Sequence, residues 1–317
     1  MMKIAILGIG AIGSYVAAMF SKNTQHEVHL LAKSNFSLLK SDGIIVEDIP
    51  EGGTWKAHRF EVHQNIEEIP LCDIVILTVK VSQNVELLPY IYKLCHAETK
   101  IISLQNGLNF EAEIQSALPQ HALYSGTCWI KVSRLSSSNA IRHDFGKNIK
   151  LGRYLLDERT VPLEEQDVLI KHLFESAQLE CDLVDNIKSV QLTKLALNIP
   201  FFVLMAREGK TVAEILVDAA TDQERQQLQQ EIVEAAAKLG SPVDERYISQ
   251  VIQNLRKMPV TVPASRENLS ENMKKDLPFH VEPLISLMGA SDIKMPMLEE
   301  LYYFKLYPQR RGVTPSI

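Results

Sequence analysis

The sequence predicts an α/β domain followed by an all-helical domain, and three observations carry that expectation. Lys3-Ile-Ala-Ile-Leu7 is a short apolar run, followed at once by glycines at 8, 10 and 13 and an alanine-rich segment. Strand-like and helix-like patterns then alternate up to residue 184. From Asp185 onward the strand alternation gives way to helical periodicity. Residues 1–184 are therefore read as one domain and 185–317 as a second, in a 317-residue chain long enough for both.

The glycine-rich turn is the first informative element. Gly8 permits a tight turn, Gly10 lets backbone approach a phosphate, and Gly13 lets the following helix pack close to the strand. The start of that helix offers N–H groups and a partial positive charge to an anion. Strand, Gly8-x-Gly10-x-x-Gly13 and helix together predict a Rossmann dinucleotide-binding domain, with Gly8, Ile9, Gly10, Ala11, Ile12 and Gly13 against the pyrophosphate. The alternative is an α/β turn that binds nothing.

Glu27 to Lys33 reads as the second parallel strand, with Val28, Leu30 and Leu31 apolar. An NAD site carries an acid roughly 20 residues beyond the motif to hold the ribose 2′-hydroxyl. Here Lys33 stands at that point, followed by Ser34 and Asn35. A cation with small hydrogen-bonding neighbours suits a 2′-phosphate, so NADPH is favoured over NADH. A surface lysine at a strand end is the plainer reading.

Ile74 to Val79 is a continuous apolar run, as in a strand buried on both faces. Ile101 to Leu104 is another, ending at the turn signal Gln105-Asn106-Gly107. Further strand-like pieces lie at 123–130, 141–145, 149–151 and 180–184, and 163–177 reads as an amphipathic helix. In the second half, helices are expected at 219–239, stopped by Gly240, and at 245–255, 266–277, 281–288 and 297–306. The window Leu195 to Ala206 is the most apolar, but Asn198 and Pro200 interrupt it, so a buried helix is expected and no run reaches the length of a membrane span.

Composition narrows the classes. With 46% hydrophobic and 23% charged residues the chain reads as a soluble globular protein. A net charge of −6 argues against a general nucleic-acid or membrane-surface binder. The apolar N-terminal residues are assigned to the first strand rather than to a signal peptide. Cys72, Cys95, Cys128 and Cys181 are scattered without a C-x-x-C pair, which fits free thiols in the cytoplasm. His26 and His29, three apart on a strand, point to opposite faces, so no metal site is expected there.

Substrates of such domains lie at the carboxyl ends of the strands. Lys80 and Asn106 follow two of those ends. Lys194 and Asn198 are four apart and share one face of an otherwise apolar helix. A lysine in apolar surroundings is costly, and desolvation lowers its pKa toward a useful proton donor. Snorkelling from a packed helix is the alternative.

Three of these motifs, Gly8-x-Gly10-x-x-Gly13, Leu104-Gln-Asn106-Gly107 and Lys194-Leu-Ala-Leu-Asn198, occur in the order and spacing of the ketopantoate reductases (2-dehydropantoate 2-reductases). The chain resembles that family well over 1–205 and more loosely beyond. The resemblance implies an NADPH enzyme that reduces the ketone of 2-dehydropantoate to the alcohol of (R)-pantoate. It further implies Lys194 as the catalytic lysine, Asn106 near nicotinamide and substrate, and Asn198 on the substrate. Lys33 would face the 2′-phosphate and Lys80 the cofactor. A homodimer built on the helical domain is compatible with it.

The chain departs from the family's pattern in the second domain. Phe202 stands where the family has a second asparagine. Asn272-Met-Lys-Lys-Asp276 replaces a Ser-Met-x-x-Asp segment, which makes Asn272 the substrate-binding counterpart. Glu282 is the best match to the family's active-site glutamate, although the residues after it do not match. These departures bear on which 2-oxo acid is reduced. A reductase of another 2-oxo acid or ketone, or a non-catalytic NADP-binding sensor, are the alternatives.

Overall fold

In the computed structural model, strands and helices alternate through the first part of the chain, and the described residues of the rest form helices and the turns between them. The structure describes residues 1–33, 35–135, 139–155, 162–257, 260 and 265–310. Among these the chain divides into two compact units. One comprises Met1–Asn106 with Phe110–Ile187, and the other Gly107–Asn109 with Lys188–Ile317.

The first unit is built on one sheet. Its strands are β1 (Lys3–Leu7), β2 (Glu27–Leu31), β3 (Ile44–Asp48), β4 (Thr54–Ala57), β5 (Glu61–His63), β6 (Cys72–Leu77), β7 (Cys95–Ser103), β8 (Leu123–Arg134), β9 (Ala140–Tyr154) and β10 (Glu180–Leu183). Their spatial order is β4-β3-β9-β8-β7-β6-β1-β2-β5, with β10 alongside β9. Pairing is parallel from β8 through β7, β6, β1 and β2 to β5. β8 and β9 run antiparallel.

β1 shows why the strands are apolar throughout. Ile4 and Ile6 enter the core on one face, with Tyr15, Val16 and Phe20 of helix α1 (Ala11–Asn23). Ala5 and Leu7 enter the core on the other face, with Leu87, Leu88 and Ile91 of α3 (Asn84–Ile91) and Ile114 of α4 (Glu111–Ala117). Neighbouring residues on a strand point to opposite faces, so a sheet covered on both sides needs apolar residues at every position. Helix α2 (Phe36–Asp42) follows β2, and α5 (Glu165–Ser176) precedes β10.

Several elements differ from the sequence expectation for local reasons. The pieces expected at 141–145 and 149–151 are one strand, because Gly146 (φ 81°) is a bulge residue rather than a break. A Cβ there would lie 2.2 Å from the Trp129 carbonyl oxygen. β7 begins at Cys95, six residues before its apolar stretch, as a polar extension. The short strands β3, β4 and β5 had no continuous apolar run to announce them.

The second unit is helical: α6 (Ile187–Glu208), α7 (Val212–Val217), α8 (Ala219–Lys238), α9 (Glu245–Arg256), α10 (Arg266–Asp276), α11 (Pro278–Ala290) and α12 (Pro296–Glu299), which continues as a π-helical segment over Glu300–Leu306. Here the expectation about apolar runs needs correction. α6 has 22 residues and is long and apolar enough to span a membrane by length and composition. Pro200 does not stop it, and 67% of its most apolar stretch is buried, which is the behaviour of a core helix. Side chains fix its surroundings. Asp222 pairs with Arg225 at 2.7 Å and Arg256 at 2.5 Å. Glu231 accepts the Met297 and Leu298 N–H groups at 2.8 Å, capping the start of α12.

Candidate active site

The glycine turn is held by sterics and by Thr78. Gly8 has φ 104°, in the left-handed region, and a Cβ on it would meet the Val79 nitrogen at 2.6 Å. The Thr78 hydroxyl donates to the Gly8 carbonyl at 2.6 Å. A Cβ on Gly13 would lie 2.0 Å from that same oxygen and 2.5 Å from Thr78 Oγ1. Gly10 differs: a Cβ on it would meet nothing within 4 Å. Gly10 is also the N-cap of α1 and supplies no side-chain cap, so the first N–H groups of Ala11, Ile12 and Gly13 have no helical acceptor. An open glycine face beside uncapped N–H groups fits a pyrophosphate.

A cleft of about 420 Å³ opens at these strand ends. Gly8, Ile9, Gly10, Lys33 and Lys80 line it together, with Leu31, Thr78 and Arg134 among their neighbours. Lys33 is exposed and its ammonium lies 3.4 Å from Glu86. Ser34 lies outside the described residues, and Asn35 is buried in the cleft wall as the N-cap of α2. Lys80 is exposed and begins the turn leading to α3, three residues past the strand and not at its end as expected.

Two residues of this region escaped the sequence reading. Arg134, the last residue of β8, donates to the Ile9 carbonyl at 2.9 Å and so adds a cation to the glycine turn. Gln105 is 4% exposed, and its amide donates to the Val79 carbonyl at 2.9 Å and to Asn84 Oδ1 at 2.8 Å. It fixes the segment that carries Lys80. The only sequence signal was its place beside Asn106. Asn106 itself is exposed, where the first unit ends ahead of Gly107 (φ 122°).

In the second unit Lys194 and Asn198 are both half-buried on α6, one turn apart, among the buried Leu195, Ala196, Leu197 and Ile199. One turn further on, the Phe202 ring lies 5.3 Å from the His280 ring of α11. Asn272 is exposed on α10. The Glu282 carboxylate, on α11, accepts from the Tyr302 hydroxyl at 2.7 Å and from Arg310 at 2.5 Å. Burial, followed by that carboxylate, pushes the Tyr302 phenol well above its ordinary range.

Residues 4–155 match the family model described as ketopantoate reductase PanE/ApbA. The chain is 27% identical to the 2-dehydropantoate 2-reductase of Nostoc sp., covering 99% of this chain and 98% of that one. The solved 2-dehydropantoate 2-reductase of Geobacter metallireducens GS-15 superposes with a TM-score of 0.83 at 22% identity, over 97% of this chain and 99% of that one. A D-mandelate dehydrogenase solved with NADH and anilino(oxo)acetate has a TM-score of 0.77 at 20% identity, over 95% and 96% of the two chains. With the family match over residues 4–155 and the end-to-end alignment beyond it, the chain is similar to the ketopantoate reductases along nearly its whole length.

Proposed function

We propose that this protein uses NADPH to reduce the ketone of 2-dehydropantoate, or of a closely related 2-oxo acid. One observation carries most of the reading: the open, uncapped Gly10 turn shares a cleft with Lys33, Lys80 and Arg134. That cleft suits a ligand with a pyrophosphate and a further phosphate. Similarity to the ketopantoate reductases supports the substrate class.

When bound, the dinucleotide supplies the hydride. Lys33 is assigned to the 2′-phosphate, and Lys80 and Asn106 to orienting the cofactor. Negative charge develops on the ketone oxygen during reduction. An ammonium stabilises it and then delivers a proton, and this is the role assigned to Lys194. Asn106, Asn198 and Asn272 are assigned to the substrate, where amides bind carboxylate or hydroxyl without competing charge. Glu282 is assigned to the active site as a fixed anion, since Tyr302 and Arg310 already orient its carboxylate. The helical unit is assigned substrate binding and self-association, and the enzyme is placed in the cytoplasm. That compartment agrees with the reduced state of Cys72, Cys95, Cys128 and Cys181.

A second reading concerns the substrate. Phe202 packed on His280 offers an aromatic wall in place of an amide, and a fold neighbour acts on mandelate. An aromatic 2-oxo acid is therefore the rival substrate.

The test is oxidation of NADPH and of NADH against a panel of 2-oxo acids that includes 2-dehydropantoate and an aromatic member. Lys194→Ala should lower kcat by about 100-fold or more. Lys33→Ala should raise the KM for NADPH and leave that for NADH unchanged. Absence of turnover with every panel member would refute the reductase reading, and faster turnover of the aromatic acid would favour the rival.

A further inference from the structure

The first unit also gathers three ligand-type side chains that the sequence holds apart. β2 and β5 pair in parallel, with His29 opposite Glu61 and Leu31 opposite His63. His29 Nδ1 and His63 Nε2 lie 3.1 Å apart. Glu61 Oε2 is 3.8 Å from the first nitrogen and 3.9 Å from the second. His29 is 1% exposed, whereas the Glu61 side chain is 69% exposed. A core wall thus backs the triangle, and solvent can enter from one side. His26, the histidine closest in sequence, takes no part: its Nδ1 accepts the Met2 N–H at 3.1 Å.

A further carboxylate fixes the chemistry of this triangle. Glu27 Oε1 lies 2.9 Å from His29 Nε2. An ionised carboxylate can only accept, so His29 carries its proton on Nε2 and presents the Nδ1 lone pair to His63 and Glu61. Carboxylate-to-imidazole hydrogen bonds of this kind orient and strengthen histidine ligands in metal centres. Glu27, Glu61 and Glu68 outweigh Lys40 among the charges that surround the pair.

We propose that His29 Nδ1, His63 Nε2 and Glu61 Oε2 bind one divalent transition-metal ion of the zinc type, with water completing its coordination. Tetrahedral zinc with nitrogens at about 2.0–2.1 Å places two of them about 3.3 Å apart. The histidine pair is within a few tenths of an ångström of that spacing, and the exposed Glu61 side chain can swing to close its longer distances. Two imidazoles with one carboxylate suit zinc or cobalt better than calcium or magnesium, which prefer all-oxygen sites. The ion would staple the edge strand β5 to β2. The His63 carbonyl also accepts the Ala32 N–H at 2.9 Å, so the staple bears on the strand end that presents Lys33.

The experiment is titration of chelator-stripped, full-length protein with Co2+, read by visible absorption, followed by Zn2+ displacement. The expected result is saturation at one equivalent, with the intense bands of a four- or five-coordinate site. His63→Gln and Glu61→Gln, both on the edge strand, should weaken binding at least tenfold with unchanged circular dichroism. Glu27→Gln should weaken it by about 10- to 100-fold. His172→Gln, which alters the separate His172–Glu175 pair, should change nothing. No saturable binding by the unmodified protein would overturn the proposal and leave His29–His63 as a hydrogen-bonded pair. Equal affinity in His63→Gln and Glu61→Gln would overturn it too, by placing the ion elsewhere.

Discussion

The Arg134 guanidinium donates to the Ile9 carbonyl at 2.9 Å, so the last residue of a strand 125 positions away braces the glycine turn. This bond spends one donor of the guanidinium and leaves others for an anion in the cleft. Arg134→Ala should weaken NADPH binding by about tenfold, near 1.4 kcal/mol, and leave the melting temperature nearly unchanged. Calorimetric titration of the cofactor checks this, and a large loss of Tm with unchanged affinity would contradict it.

The two later glycines of the turn should separate fold from binding. Gly13→Ala places a methyl 2.0 Å from the Gly8 carbonyl oxygen, so backbone must shift. Overpacking of this kind costs about 1–3 kcal/mol, visible as a lower Tm. Gly10→Ala meets nothing within 4 Å and should melt like the unmodified protein. Its methyl instead occupies space facing the ligand, so cofactor affinity should fall by about tenfold or more.

Gln105→Leu tests the buried amide that holds the Lys80 segment. It strips the Val79 carbonyl and Asn84 Oδ1 of their donor. Leaving buried acceptors unsatisfied costs about 1–3 kcal/mol each at most, so a destabilisation of about 2 kcal/mol is expected in urea denaturation. Because Val79 and Lys80 line the cleft, the KM for NADPH should rise as well.

Glu214 carries a pH dependence in the helical unit. Its carboxylate accepts from Arg266 at 2.6 Å and from the Thr211 N–H at 2.8 Å, and these bonds lower its pKa to about 2. The folded value lies below the ordinary glutamate value of about 4.3. The contribution to stability is therefore complete above that value and is lost as pH falls through it toward about 2. Glu214→Gln should be less stable than the unmodified protein at pH 7. The difference should shrink between pH 5 and pH 3 in urea titrations.

Legibility in the sequence followed the range of the interaction. The turn at Gly8 to Gly13, the strands around Ile4, Leu30 and Ile76, and the helix carrying Lys194 and Asn198 declare themselves through local period and stereochemistry. The strand pieces at 141–145 and 149–151 read as separate for the same reason, since their continuity through the bulge at Gly146 depends on pairing with β8. Arg134 on Ile9 and Gln105 on Asn84 depend on strand order, which no local pattern encodes. The histidines show the contrast best. Local spacing pairs His29 with His26, whereas the fold pairs it with His63, 34 positions on.

The placing of β3 beside β9 governs how the protein can be made. Val46 registers with Ile141, and the buried carboxylate of Asp48 meets His143 at 3.1 Å across 95 positions of chain. During synthesis β3 and β4 leave the ribosome with only each other to pair with. They remain an open hairpin until β9 emerges to receive them. Unpaired strands recruit other strands, so this interval is when a nascent chain is most exposed to aggregation. A translational pause before residue 140 would lengthen that interval, and a chaperone that shields the β3–β4 hairpin would be most useful within it.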